Sequence, residues 1–295
     1  MKLIESKVEI IEQEPGLEGV YKIAELAGRT AYKSQDRITE GSAKKFVDAM
    51  IRSNHGAVLE HGTVYMTFKW WQIGKKLKYL FNPYSKIRKF KYVTTNLRVL
   101  FEHNWMNDLE YFCEPTEYHE RRVTSKFVCS RGVSHEAVRH RVMSFLQESQ
   151  RYVGYNKEKF GSEITVIIPE WIKAKINDIA SYNNNDDLAQ VPYSEAIMDM
   201  RTLEDLSIVA WENAQRDSEN YYMRLTELGC KPEEARGVLT NDCKTELIMT
   251  GFISDYKHFY NLRGKGVTGK PHPDIKILTD ELYFKLLKLN IDLCL

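Results

Sequence analysis

The chain lacks the features that mark several large protein classes. Its 295 residues hold only five cysteines, Cys113, Cys129, Cys230, Cys243 and Cys294. Their number is odd, their spacing is wide and no CxxC occurs. This argues against a disulfide framework or a zinc ribbon and reads as a reducing, cytoplasmic setting. No apolar run approaches the roughly 20 residues that span a bilayer. The opening MKLIESKVEI carries charges where a signal sequence needs an apolar core. An excess of one charge is also missing: 42 basic against 41 acidic residues give a net charge of +1, so no whole-molecule field favours a nucleic-acid or membrane partner. What remains is 43% hydrophobic and 28% charged, the composition of a folded globular protein.

Periodicity gives a coarse map. Residues 17–27 carry apolar side chains at helical spacing, with Gly28 suited to a C-terminal cap. Ser42 is placed to cap a second helix striped by Phe46, Val47, Met50 and Ile51. Strands are expected at Thr63–Lys69, Lys91–Leu100, Val123–Cys129 and Ile164–Ile168. Helices are expected at Trp171–Ala180, over Glu195–Leu228 as one or two, from Pro232, and over Thr245–Leu262 and Asp274–Leu289. Ser181–Pro192 and Gly264–Pro273 read as surface loops. Strands come early and helices late without βαβ alternation, which predicts an α+β fold, a mostly antiparallel sheet packed with helices. No linker divides the chain, so residues 1–295 read as a single domain.

Arg139-His140-Arg141 is the most informative tripeptide. Ser134 is placed to cap a helix through it, carrying Val138, Val142 and Phe145 inward. Successive helical residues project ~100° apart, so three basic side chains would fan around such a helix toward several anionic groups, or make ion pairs on a surface. The following Ser144–Tyr152 stretch is dense in hydroxyl, amide and guanidinium groups. In an extended chain Ser149 and Arg151 share a side and form a phosphate clamp. His55, Glu60 and His61 lack metal-site spacing, and no metal is expected. Gly264–Lys270 satisfies GxxxxGK, but a helix precedes it and Pro271 follows, so it is not a phosphate loop. Segment 69–98 holds nine Lys or Arg and no Asp or Glu, interleaved with aromatics. It carries the alternative reading, a single-stranded nucleic-acid-binding protein.

Arg139-His140-Arg141, seven residues and Ser149 form RHRx7S, the signature of the flavin-dependent thymidylate synthases, and CSRGVSHEAVRHRVMSFLQESQRYVGY (Cys129–Tyr155) resembles one branch of that family throughout. His55-x4-Glu60-His61 resembles its second flavin-side motif. TELIMTGFISDYKHFYNLR (Thr245–Arg263), with Arg236, resembles its C-terminal substrate region. The resemblance implies methylation of dUMP to dTMP, with methylenetetrahydrofolate supplying the carbon and FAD, reduced by NADPH, the hydride. It implies a homotetramer with active sites shared between subunits, and no cysteine nucleophile. By the same resemblance Glu136, Arg139, Gln147, Glu148, Ser149, Gln150, Arg151, Arg236 and Arg263 meet dUMP, with Glu148 and Gln150 lending backbone groups. Arg263 is the catalytic residue, stabilising negative charge on the uracil ring. His55, Ala57, Glu60, Arg139, His140, Arg141, Val142, Gln147 and His258 hold FAD. The chain departs from the family pattern at Ala57 and Glu136, where some members carry threonine and glutamine, and at Phe252 and Ser254, where many carry asparagine and arginine.

Overall fold

The computed structural model describes residues 1–151, 154–155, 162–182, 191–197 and 205–293. Among these the strands are β1 Lys2–Ile4, β2 Lys7–Ile11, β3 Thr63–Thr67, β4 Lys86–Arg88, β5 Tyr92–Asn96, β6 Arg122–Ser130, β7 Ser144–Gln147, β8 Thr165–Ile167 and β9 Lys244–Phe252. The α-helices are α1 Gly16–Ala31, α2 Ser42–Arg52, α3 Gly56–Leu59, α4 Ile73–Leu80, α5 Leu97–Glu102, α6 Arg131–Ala137, α7 Glu170–Tyr182, α8 Leu206–Glu227, α9 Pro232–Ala235, α10 Ile253–Tyr260 and α11 Pro273–Lys288. The main sheet is antiparallel, in the order β2-β6-β9-β7. A smaller antiparallel sheet runs β3-β5-β4, and β1 pairs with β8 in parallel. The architecture is α+β, as the sequence predicts.

The largest departure from expectation is β9. Thr245–Leu262 reads as one helix but is a central strand followed by α10. Alternate β9 residues face different layers. Leu247 and Met249 join a core with Val8, Phe127, Phe259 and the α11 residues Ile275, Leu278, Leu282 and Leu286. Glu246, Ile248 and Thr250 face the other side, where α1 packs. A strand buried on both faces loses its polar alternation, and the apolar run then mimics a buried helix. The order of strands early and helices late fails for the same reason.

Other differences are local. Lys91–Leu100 is strand only to Asn96, whose side chain accepts a hydrogen bond from Val99 N–H (3.0 Å) and starts α5. Gly28 lies inside α1, where a Cβ would come within 2.5 Å of the Phe46 ring. It is a close-packing site, not a cap. Ser42 begins α2 without capping it, and its hydroxyl donates to Glu25 at 2.7 Å. Ser181 and Tyr182 end α7, and residues 193–197 are helical ahead of α8. Tyr152 and Val153, most of the expected Ser181–Pro192 loop, the join within Glu195–Leu228 and Cys294 lie outside the described residues.

Candidate active site

The Arg139-His140-Arg141 tripeptide sits on a turn, not a helix. Ser130 at the end of β6 is extended, and its hydroxyl accepts from Val133 N–H at 3.2 Å. The cap therefore falls four residues before Ser134, and α6 ends at Ala137. Ser134 instead donates to the Arg131 carbonyl and accepts from Gln147 Nε2 at 2.7 Å. Val138 and Val142 are exposed rather than inward, while Phe145 does pack on the core. The turn separates the basic side chains. His140 is buried, its ring centre 4.9 Å from Phe259 and 5.8 Å from His258. Arg139 and Arg141 are exposed, with no acidic partner among the described residues.

Arg263 reaches this turn from a π-helical segment, Asn261–Lys265, that continues α10. Its Nη1 donates to Glu136 Oε2 at 2.6 Å, its Nη2 to the Glu136 carbonyl at 3.2 Å, and its Nε to His140 Nε2 at 3.4 Å. The acceptor role of Nε2 sets the proton of neutral His140 on Nδ1. Burial, aided by the Arg263, His258 and Arg139 charges, lowers the His140 pKa to about 4, so the ring is uncharged at neutral pH. Arg263 thus has three donors fixed by protein out of the five a guanidinium offers.

A second cluster lies where β7 runs out. Gln147 Nε2 donates to Thr245 Oγ1 (3.2 Å) as well as to Ser134, which ties this cluster to α6 and the first. Glu148 is buried, with its carboxylate 2.8 Å from Lys244 Nζ and 3.5 Å from Lys33 Nζ. Its N–H donates to the Glu246 carbonyl, and Ser149 N–H donates to the Ala31 carbonyl. Those two backbone donors are already engaged. Ser149 Oγ accepts from Arg151 N–H at 3.2 Å, and Gln150 Nε2 donates to Cys243 Sγ at 3.5 Å. Arg151 Nε lies 4.0 Å from Glu233 of α9. Arg236 follows one turn later, half-buried and without an acidic partner among the described residues.

The third block lies across the sheet. His55 and Ala57 are exposed at the start of α3. The Glu60 carboxylate pairs with Arg98, and its carbonyl accepts from Arg122 Nη1 at 3.0 Å. His61 is fully buried with Nδ1 2.8 Å from Thr250 Oγ1, on the face of β9 opposite Leu247 and Met249. Within one chain, therefore, His55, Ala57 and Glu60 are on one side of the sheet and His140, His258 and Arg263 on the other.

Burial, then the Arg122 charge, lowers the His61 pKa to about 3, and Nε2 has no partner among the described residues. His61 and His140 both have folded pKa values below the ordinary 6.5. The unfolded chain therefore binds protons more tightly, and stability present above pH 6.5 declines as pH falls toward 4 and then 3. Each such histidine contributes a slope of about 1.4 kcal/mol per pH unit in its window. Urea unfolding between pH 7 and 4 measures the slope. His61→Gln is expected to remove its own share of the slope while His140 and His119, whose pKa values burial also lowers, keep theirs, and an unchanged slope would reject this assignment.

Several residues here are absent from the sequence reading. Arg122, half-buried, donates to the Glu60 carbonyl, Thr63 and Ser144. Lys244 joins Glu148 to Glu246 at 2.8 and 2.6 Å. Thr245 holds Gln147 together with Ser134, which the sequence offered only as a helix cap. The available signal was Lys244-Thr245-Glu246: in a strand, Lys244 and Glu246 share a face and Thr245 takes the other. Burial raises the thiol pKa of Cys113, that of Cys129 to about 12 and that of Cys243 to about 11, so none of these three is poised as a thiolate.

Residues 118–289, more than half of the chain, match the model of a family described as thymidylate synthase complementing protein. The flavin-dependent thymidylate synthase of Pyrococcus abyssi is 29% identical over 135 residues, 46% of this chain and 43% of its own length. That of Pyrococcus horikoshii is 31% identical over 135 residues, with the same shares of 46% and 43%. That of Corynebacterium efficiens is 29% identical over 148 residues, 50% and 49%. The chain spans under half the length of the curated relatives it matches. Among solved structures, the UMP/dUMP methylase PolB from Streptomyces cacaoi bound with 5-Br dUMP aligns over 98% of this chain and 93% of its own, at 18% identity and TM-score 0.44.

Proposed function

The chain belongs to the thymidylate synthase complementing protein family, and we propose that it is a flavin-dependent thymidylate synthase, methylating dUMP to dTMP. Methylenetetrahydrofolate donates the carbon, NADPH is the reductant, and the whole chain acts as one domain within a cytoplasmic homotetramer. The observation that carries this reading is the fixed Arg263 guanidinium, tied to Glu136 and lying beside a neutral His140.

The residues do what such a reaction needs. A pyrimidine whose C5 acts as nucleophile accumulates negative charge on its ring, and a cation oriented beforehand stabilises that charge without reorganising. Glu136 and His140 orient Arg263 and leave its other donors for the ligand. Neutral His140 adds no competing positive charge. The phosphate is a dianion, suited to guanidinium groups that lack an intramolecular acid: Arg139 and Arg236, with the Ser149 hydroxyl beside Arg151. FAD suits the unpaired Arg139 and Arg141 and the exposed Val142 by charge and access; bound, it supplies the hydride. His55, Ala57 and Glu60 lie on the other face of the sheet. They suit the same flavin if one copy supplies that block and another supplies His140, Gln147 and His258, which is the reason for a shared site.

The test is direct. The purified protein, reconstituted with FAD, is expected to show flavin absorbance that shifts on adding dUMP, and to form dTMP with methylenetetrahydrofolate and NADPH. A protein that retains no flavin and yields no dTMP would overturn the reading.

A further inference from the structure

The proposed reaction gives segment 69–91 no role, yet eight of its large apolar or aromatic side chains are exposed. Trp70 is 77% exposed, Trp71 59%, Phe81 83% and Phe90 71%. On α4, Lys76 and Tyr79 turn into the core, whereas Ile73, Leu77 and Leu80 form a second apolar stripe facing solvent. Leu77, Leu80, Ile87 and Phe90 line one shallow groove. Exposed apolar surface of this extent marks an interaction site.

Charge narrows the partner. Lys75, Lys78, Lys86 and Arg88 are paired within the chain to Glu110, Asp108 and Glu120. Lys69, Lys89 and Lys91 lie against aromatic rings, with no acidic partner among the described residues. Three free cations are few for a polyanion or an anionic bilayer. The exposed rings could stack on bases, but the aliphatic stripe of α4 beside them could not, and it calls for an apolar partner surface. The chain itself carries the complementary surface. Between α1 and α2 runs an open groove of about 800 Å³ lined by Leu26, Ala43 and the exposed Ile38, with its one lysine, Lys22, paired to Glu14 at 2.6 Å. Glu18 and Glu40 on its rim are exposed and have no ion-pair partner among the described residues.

We propose that the 69–91 arm of one copy docks in the α1–α2 groove of a second copy, aromatic and aliphatic side chains on the floor and Lys69, Lys89 and Lys91 toward Glu18 and Glu40. Reciprocal exchange closes the pair with two equivalent contacts, as two-fold assemblies do. The inference is independent of the reaction.

Charge reversal tests it. One full-length variant carries Lys69→Glu and Lys89→Glu, another Glu18→Lys and Glu40→Lys; all four positions are on the surface, and melting curves confirm folding. By sedimentation velocity, each variant alone is expected to self-associate at least about tenfold more weakly than wild type, since juxtaposed like charges oppose docking. Mixing the two variants restores association, because each reversed arm then meets a reversed groove and each native arm a native groove. A wild-type monomer at every concentration, variants that associate as wild type does, or a mixture that fails to recover would each overturn the proposal. So would arm-dependent binding to phosphatidylserine vesicles with self-association unchanged.

Discussion

Arg263→Ala is expected to lower turnover by about 10² to 10³, the effect of removing one fixed donor from a developing charge, while flavin content stays near that of wild type. The reason is in its contacts. The polar contacts of Arg263 among the described residues are to Glu136 and His140, and Glu136 remains a quarter exposed, so losing the cation does not strand a buried carboxylate. Arg263→Lys keeps the charge but cannot reach Glu136 Oε2, the Glu136 carbonyl and His140 together, and is expected to recover only a small part of the rate. Steady-state rates and the flavin absorbance per chain, measured on the same preparations, check both. Release of flavin with an unchanged rate per bound flavin would move Arg263 out of the chemical step.

The legible and illegible parts of this chain differ in kind. Arg139, His140, Arg141 and Ser149 could be singled out because several polar groups crowd a short stretch, a signal local in sequence. α1, α2, α7 and α11 could be read because each buries one face and shows its stripe. β9 could not: buried on both sides, it has no polar face to reveal its period. The cap of α6 lies four residues before Ser134: Ser130 and Ser134 are equally good capping side chains, and only the extended backbone at the end of β6 selects the first. The partnerships were beyond reach for a different reason. Glu136 meets Arg263 across 127 positions and His61 meets Thr250 across 189. Such pairs follow from sheet order, which periodicity does not encode. The same sheet order puts Glu60 and His140 on different faces, so motifs that a sequence reader joins into one site stay apart within a single chain.

Sheet order also makes Glu246 the residue through which stability and the candidate phosphate cluster are coupled, and Glu246→Ala is expected to cost about 3 kcal/mol, the low end for removing one partner of a buried ion pair, because Glu246, Lys244 and Lys126 are only partly buried. Its carboxylate lies 2.6 Å from both Lys126 and Lys244, and Lys244 in turn holds Glu148 at 2.8 Å. Burial alone would raise the Glu246 pKa; Lys244 and Lys126 outweigh it and hold it at about 2. The folded value is thus depressed, so this contribution is present above the ordinary carboxylate pKa of about 4.5 and is lost as pH falls toward 2. Without Glu246, Lys244 is left with one carboxylate and Lys126 with none. The variant should therefore lose stability at pH 7 and show a shallower acid limb than wild type in urea titrations. The second consequence separates this pair network from generic core damage. Glu148 anchors the strand end from which Ser149 and Arg151 project, so under the proposed function a loosened Lys244 is expected to raise the KM for dUMP several-fold while kcat, assigned to Arg263 on the other face of the sheet, changes little. Equal losses in kcat and kcat/KM would show that the ion-pair chain does not position that cluster.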